Sequence, residues 1–319
     1  TLYKWQNGFL TLGDLKDLKK KTQEVFSSLG EFQHPSGGFG YWPAPELPSP
    51  WITAYAVHSI ALAAREGYAV DSSALAKALA WLRSTLYEQN AQWAYPYSVS
   101  EEYAARAYAL YALALHGQKE AGALSNLFLR RDQLPLSGKA HLLKAAKLMD
   151  ADPLVLDTLA GELLNAGMHT ATTLHFSDKE DMPWIHGSSA RATSLILQAL
   201  LETRKGFAGD EKVVRWLMEE RKVQGRWRTT QENSSALYAL QDYYRRYEKA
   251  APSFEASVRV AADEWREAFR GRSLETRRKR FALPSPAAGE KEETSISLSK
   301  TGEGRLYYVL RLDWLPETE

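Results

Sequence analysis

Apolar residues recur at helical spacing through the first 250 positions, in runs such as "DLKDLKKKTQEVFSSL", "WITAYAVHSIALAA", "SALAKALAWLRSTL" and "EEYAARAYALYALALHG". The same period continues in "GALSNLFLRR", "LSGKAHLLKAAKLMD", "LVLDTLAGELLNAG", "SSARATSLILQALLE", "EKVVRWLMEER" and "TTQENSSALYALQDYYRRY". Helix starts are marked by "SPW", "DSSAL" and "DADP", where Ser or Asp caps and Pro suits the first turn. Ends carry Gly in "REG", "HGQ" and "NAG". Every second helix is rich in small residues: Ala54 to Ala64, Ala104 to Ala114, Ala140 to Ala146, Ser188 to Ala199. Their partners, "WLRSTLYEQ" and "RWLMEERK" among them, are amphipathic. Small-residue helices inside amphipathic ones predict a mainly α fold, an α/α toroid of helical hairpins repeating at roughly 45–60 residues. An open superhelix of hairpins produces the same pattern.

After "EKAAPSF" the period shortens. "SFEASVRVA" and "GRLYYVLRLDWL" cluster β-branched and aromatic residues, "ETSISLS" alternates cleanly, and the Pro/Gly/Glu-rich "LPSPAAGEKEE" reads as a loop. The expected division is therefore residues 1–250, helical, and 251–319, a small β module. Its three or four strands are too few to close a sandwich and call for strands from elsewhere.

Composition narrows the function. Of 319 residues 45% are apolar and 25% charged, the balance of a globular protein with a sizeable core. A net charge of +1 offers nothing for nucleic acid or an anionic membrane, and no apolar run approaches the ~20 residues of a bilayer span. The absence of cysteine removes disulfides, thiolate nucleophiles and Cys-ligated zinc from these 319 residues. The chain opens on Thr1 rather than Met, as a processed or excised piece does.

Several polar clusters are candidates for chemistry. "HPSGGFGYWP" (34–43) is Gly-rich but lacks the Lys-Ser/Thr of a phosphate loop and the preceding strand of a dinucleotide fingerprint. It reads as a tight turn whose Phe39, Tyr41 and Trp42 cap a barrel rim. His169, His175, Asp178, Asp181 and His186 concentrate metal-type ligands, yet at no recognised zinc spacing, so a polar inter-helix loop is expected. Glu101 and Glu102 open a small-residue helix, where an inverting glycosidase would need a second carboxylate ~6.5–9.5 Å away. Acidic residues also favour helix starts through the macrodipole. Asp157, Glu162 and Glu232 show no partner in sequence, and there is no G-x-S-x-G elbow. Terpene cyclases and prenyltransferases share such barrels, but the Asp-rich acid motif of the former and the zinc-binding Cys of the latter are missing, "DKED" being a poor match. In "GRWRTTQENSSALYALQDYY" (225–244), Thr229 or Thr230 suits an N-cap, with Glu232 or Asn233 reaching back and Trp227 stapling the turn.

"PSPWITAYAVHSIALAAREGYAV" resembles a helix of the thioester-containing domain of the alpha-2-macroglobulin and complement superfamily, and "EKVVRWLMEERKVQGRWRTTQENSSALYALQDY" is similar to that domain's final hairpin. "TTQEN", and "GGFGYWP" ahead of "PSPWITAY", look like the bacterial branch. The matches, at 37–70, 103–117 and 213–240, follow the family's order, and the resemblance covers essentially all of 1–250. "GRLYYVLRL" then resembles the adjoining CUB-like β segment.

The resemblance implies a fragment of a periplasmic or cell-envelope protease trap, with a lipid anchor on the full-length protein as one option. Its partners would be proteases and the neighbouring macroglobulin-like and CUB domains, with no nucleic acid and no membrane span. This domain would shield or present a Cys-Gln thioester whose motif is not in the chain, so no catalytic, cofactor or metal residue is expected and the domain is not an enzyme. A His that directs acyl transfer in some members has no counterpart in "WLRSTLYEQNAQWAYPYSVSEEY"; Tyr95, Tyr97 and Glu101 occupy that region without matching the role. The reading of a different class is an α/α-barrel carbohydrate-active or terpenoid enzyme using paired carboxylates.

Overall fold

A computed structural model describes residues 12–43, 47–87, 95–178, 182–204, 206–221, 225–248, 251–271, 276–283, 294–313. The chain forms two compact units, Thr1–Ala239 and Leu240–Glu319.

The first unit is helical. After α1 (Leu12–Ser28) come α2 (Pro50–Arg65), α3 (Ser72–Thr85), α4 (Val99–Leu115) and α5 (Ala121–Leu129). They are followed by α6 (Leu136–Leu148), α7 (Pro153–Asn165), α8 (Ser189–Thr203), α9 (Asp210–Glu219) and α10 (Thr230–Tyr247), the last crossing into the second unit. The caps read from sequence are in place: Ser49 and Asp152 each precede a Pro at the first turn, and Asp71 accepts from the amides of Ser73 and Ala74.

The small-residue helices pack on one another in the order α2, α4, α6, α8, while α3, α5, α7 and α9 lie against them from outside. Burial follows the same division. Eleven residues of α4, from Glu101 to Ala114, are buried, whereas α3 buries only Ala78, Leu82 and Thr85. Small side chains permit this closeness: a Cβ added to Gly138 of α6 would lie 3.2 Å from the Cα of Ala104 in α4.

Between α7 and α8 the expected polar loop contains structure that helical periodicity cannot show. A two-residue hairpin, β1 (Met168–His169) and β2 (Leu174–His175), is followed by a 3-10 turn at Pro183–Ile185. Leu174, Phe176, Met182 and Ile185 of this stretch are buried in the core.

In the second unit β3 (Ser253–Val260) is central to an antiparallel sheet, flanked by β4 (Asp263–Arg270) and β5 (Ile296–Glu303). β4, "DEWREAFR", went unread because its charges mask the alternation of Trp265, Glu267 and Phe269 against Glu264, Arg266 and Ala268. "GRLYYVLRLDWL" corrects the sequence expectation: residues 305–313 pair with no strand among the described residues, although Tyr307, Tyr308, Val309, Leu310 and Leu312 are exposed. High β-propensity makes a strand only when a neighbouring edge supplies its backbone partners. Of the predicted loop "LPSPAAGEKEE", all but Leu283 lies outside the described residues.

Candidate functional site: the rim and axis of the helical series

Hydrogen bonds tie the starts of the inner helices together. Ser49, the N-cap of α2, meets the Tyr97 hydroxyl ahead of α4 at 2.7 Å. Glu101, in the first turn of α4, accepts from Ser98 N at 3.0 Å and, through its other oxygen, from Trp184 N at 2.9 Å. Asp178 accepts from Leu136 N and from Ser137 Oγ, so it caps α6 from another segment of the chain. Tyr41 bonds His186 Nε2 at 2.6 Å, and Tyr95 stacks on Trp184 at 4.6 Å. Residues 33–43, 95–98, 176–178 and 182–188 thus form one rim over the N-terminal ends of α2, α4, α6 and α8.

Three segments that precede inner helices are held by one device. Phe39 is buried and its N–H donates to Thr53 Oγ1 at 2.8 Å. Phe176 is likewise buried; its N–H donates to Thr193 Oγ1 at 2.9 Å, and that hydroxyl returns a bond to Phe176 O at 3.0 Å. At α10, Asn233 Nδ2 donates to Trp227 O at 2.8 Å, and the indole N–H reaches Leu217 O at 3.0 Å. A polar residue early in an apolar helix therefore anchors the backbone beside a buried aromatic. At Thr53 and Thr193 the sequence signal was a Thr in a helix otherwise rich in small and apolar residues; Asn233, inside the polar run "TTQENSS", carried no such signal. Near the Phe39 anchor, Gly37 has φ +106° and Gly38 lies where a Cβ would approach Trp81 to 2.7 Å, which explains these two glycines without a ligand.

The carboxylate candidates are committed to structure. Glu101 is 2% exposed and forms a capping box with Ser98, while Glu102 pairs with Arg106 at 2.7 Å. Asp157 reaches Arg204 at 3.6 Å, and Glu162 is held by Arg131 at 2.7 Å and Lys139 at 2.6 Å. Glu232 accepts from Thr229 N at 3.0 Å, and its own amide donates to Thr229 Oγ1 at 3.1 Å. Thr229, rather than Thr230, is thus the cap of α10, and Asn233 Nδ2 donates both to Trp227 O and, at 2.6 Å, to the carbonyl of the cap residue Thr229. The His/Asp cluster disperses: His175 stacks on Trp216 at 4.7 Å, Asp178 caps α6, His186 faces Tyr41, and Asp181 lies outside the described residues. Among the described residues no three His, Asp or Glu side chains converge as a metal site.

Below the rim lies a buried group that sequence reading did not single out. Trp51 packs against Tyr108 at 4.8 Å, and the His141 ring stacks on Tyr108 at 4.2 Å and 9°. His58 Nδ1 meets the Tyr108 hydroxyl at 3.0 Å. Burial, with Lys144, Arg65 and His116 nearby, pushes His58 down to about 3, and burial beside Arg191 and Lys144 holds His141 well below its ordinary value. Burial also opposes the charge on Lys144, but Tyr111 and the Glu202 carboxylate at 3.0 Å outweigh it, so its pKa is raised. Burial lowers Arg191 to about 10. These residues lie on α2, α4, α6 and α8, distant in sequence, so only packing assembles them.

Arranged this way, the fold defines a helical-hairpin domain whose polar groups knit its rim. Residues 14–101 match the family model of the A-macroglobulin TED domain. An alpha-2-macroglobulin homolog of a Nostoc species is 24% identical over 309 residues, covering 93% of this chain and 15% of its own length. Escherichia coli alpha-2-macroglobulin is 26% identical over 251 residues, 76% of this chain and 15% of that protein. The structure of the Escherichia coli protein activated by porcine elastase superposes with a TM-score of 0.65 at 19% identity, over 90% of this chain and 22% of that one. The chain is thus similar to bacterial alpha-2-macroglobulins, and it spans about 15% of the length of these curated relatives.

Proposed function

We propose that this chain is the thioester-domain portion of a bacterial protease trap of the cell envelope. Within it, residues 1–250 would form the toroid that shields or presents a thioester, and 251–319 part of a CUB-like sandwich. The match of residues 14–101 to the TED domain carries the reading. The toroid is supported by a hydrogen bond from Gln198 Nε2 of α8 to Ser235 O of α10 at 3.2 Å, as a continued inner series would make. The CUB-like module is supported by a three-stranded sheet followed by exposed apolar residues at 307–312, a surface suited to further strands. In such a trap this domain is not an enzyme, and its partners are the captured proteases and neighbouring domains of the same polypeptide. The paired-carboxylate enzyme is disfavoured, because Glu101 spends both oxygens on backbone amides and Glu102 is ion-paired. Among the described residues no helix is long and apolar enough to cross a membrane, which is compatible with an envelope location.

The test uses the full-length gene product incubated with trypsin or elastase. A trap leaves the protease active on a small chromogenic peptide while protecting large protein substrates. Cleavage of the gene product with no protection of the large substrate would overturn the proposal.

A further inference from the structure

Between β4 and β5 the chain leaves the sheet, and four successive bases lie on the excursion. Gly271, at φ +71°, turns the backbone away beyond Arg270, and its N–H donates to Pro252 O at 2.8 Å. Residues 276–283, "TRRKRFAL", then run with no helix, strand or turn. Thr276 to Arg280 are exposed without interruption, and Phe281 is half-buried. One side chain tethers the run to the sheet: Arg277 Nε lies 3.2 Å from Glu267 Oε1 of β4.

Among the described residues, the other adjacent bases sit in regular structure. Lys19, Lys20 and Lys21 lie within α1, and Arg245 and Arg246 within α10. Arg130 ends α5, while Arg131 is bonded to Glu162 and to Phe128 O. A protease takes its substrate as an extended segment whose backbone pairs with the edge of the cleft. A helix must unwind before it can enter, whereas an exposed irregular run is cut without that cost.

We propose that the Arg280–Phe281 bond is a processing site for an endoprotease specific for paired basic residues. Arg280 supplies the guanidinium that a carboxylate in the specificity pocket takes as a bidentate pair, and Lys279, Arg278 and Arg277 supply the preceding charges. Water is the co-reactant: its oxygen bonds to the carbonyl carbon of Arg280, the C–N bond to Phe281 breaks, and the Phe281 nitrogen takes the proton. The cut leaves a carboxylate and an amine but does not release the C-terminal piece. β5 stays paired with β3 from Ile296 opposite Val260 to Glu303 opposite Ser253, and with no cysteine in the chain the sheet is the link. The product is a two-chain protein. The site rests on these residues alone and stands whether or not the parent protein traps proteases.

The experiment exposes the 319-residue chain to a paired-basic-specific endoprotease at a low ratio of enzyme to substrate, and maps the cut by intact mass and N-terminal sequencing. The first new N-terminus should be Phe281, and fragments 1–280 and 281–319 should elute together in gel filtration and separate in urea. Arg280→Gln should slow cleavage of that bond about a hundredfold, because the pocket carboxylate is left unpaired, while its thermal midpoint stays at the wild-type value. Should that midpoint fall, Lys279→Gln takes its place with the same slowing expected. A first cut elsewhere, no cut at a ratio that digests the urea-unfolded chain, or a bond cleaved as fast in these variants as in wild type overturns the site. Fragments that part in native buffer overturn the two-chain product.

Discussion

The most quantitative consequence of the axial cluster is acid sensitivity through His58. Its ring meets Tyr108 and Tyr111 edge-on at 5.9 and 5.2 Å, with Lys144 and Arg65 contributing positive potential. An unfolded chain protonates this imidazole near 6.5, whereas the folded chain resists until about 3. A base depressed on folding contributes its full stability above the unfolded value and loses it as pH falls towards the folded one. Between pH 7 and pH 5 the unfolded state gains a proton that the folded state refuses, a loss of about 2 kcal/mol. Partial exposure of the ring trims this figure without changing its sign. The assay is urea unfolding followed by tryptophan fluorescence at both pH values, for wild type and His58→Phe. The variant carries its own packing cost at each pH, so the quantity compared is the change between the two. Wild type should lose about 2 kcal/mol more than H58F over that interval. Equal losses would show that His58 is charged in the folded protein, and the description of the axis as a desolvated cluster would be wrong.

Three further outcomes follow from the bonding of the helix starts and of Lys144. Thr229→Ala should cost about 1 kcal/mol in urea unfolding, while Thr230→Ala, one residue inside α10, should stay within about 0.5 kcal/mol. Thr193→Val removes the acceptor of the buried Phe176 N–H and should cost about 1–3 kcal/mol, with faster hydrogen exchange at that amide. For the Lys144–Glu202 pair, Glu202→Gln should destabilise more than Lys144→Met in calorimetry, because it strands a cation that is 3% exposed, whereas the carboxylate, 37% exposed, can be solvated.

The same contrast between local and assembled features separates what was legible in the sequence. Periodicity located the inner and outer helices, and local capping chemistry set several starts, because Ser49, Asp71 and Asp152 act on amides two or three residues away. Glu101 was singled out as a helix-start residue, but its second role depends on Trp184, 83 residues further along. Thr229 and Thr230 were indistinguishable in one dimension, since both precede the apolar run and only backbone geometry selects the cap.

Alternating small-residue and amphipathic helices, written in near neighbours, were determined by the sequence alone, because helical period and capping depend on residues within a turn or two. Tertiary structure alone decided which polar residues meet. Trp51, His58, Tyr108, His141 and Arg191 come from four helices and share one buried space, where loss of water rather than residue type sets their charge. It also decided that 305–313 pairs with no strand among the described residues, since a strand exists only against an edge that pairs with it.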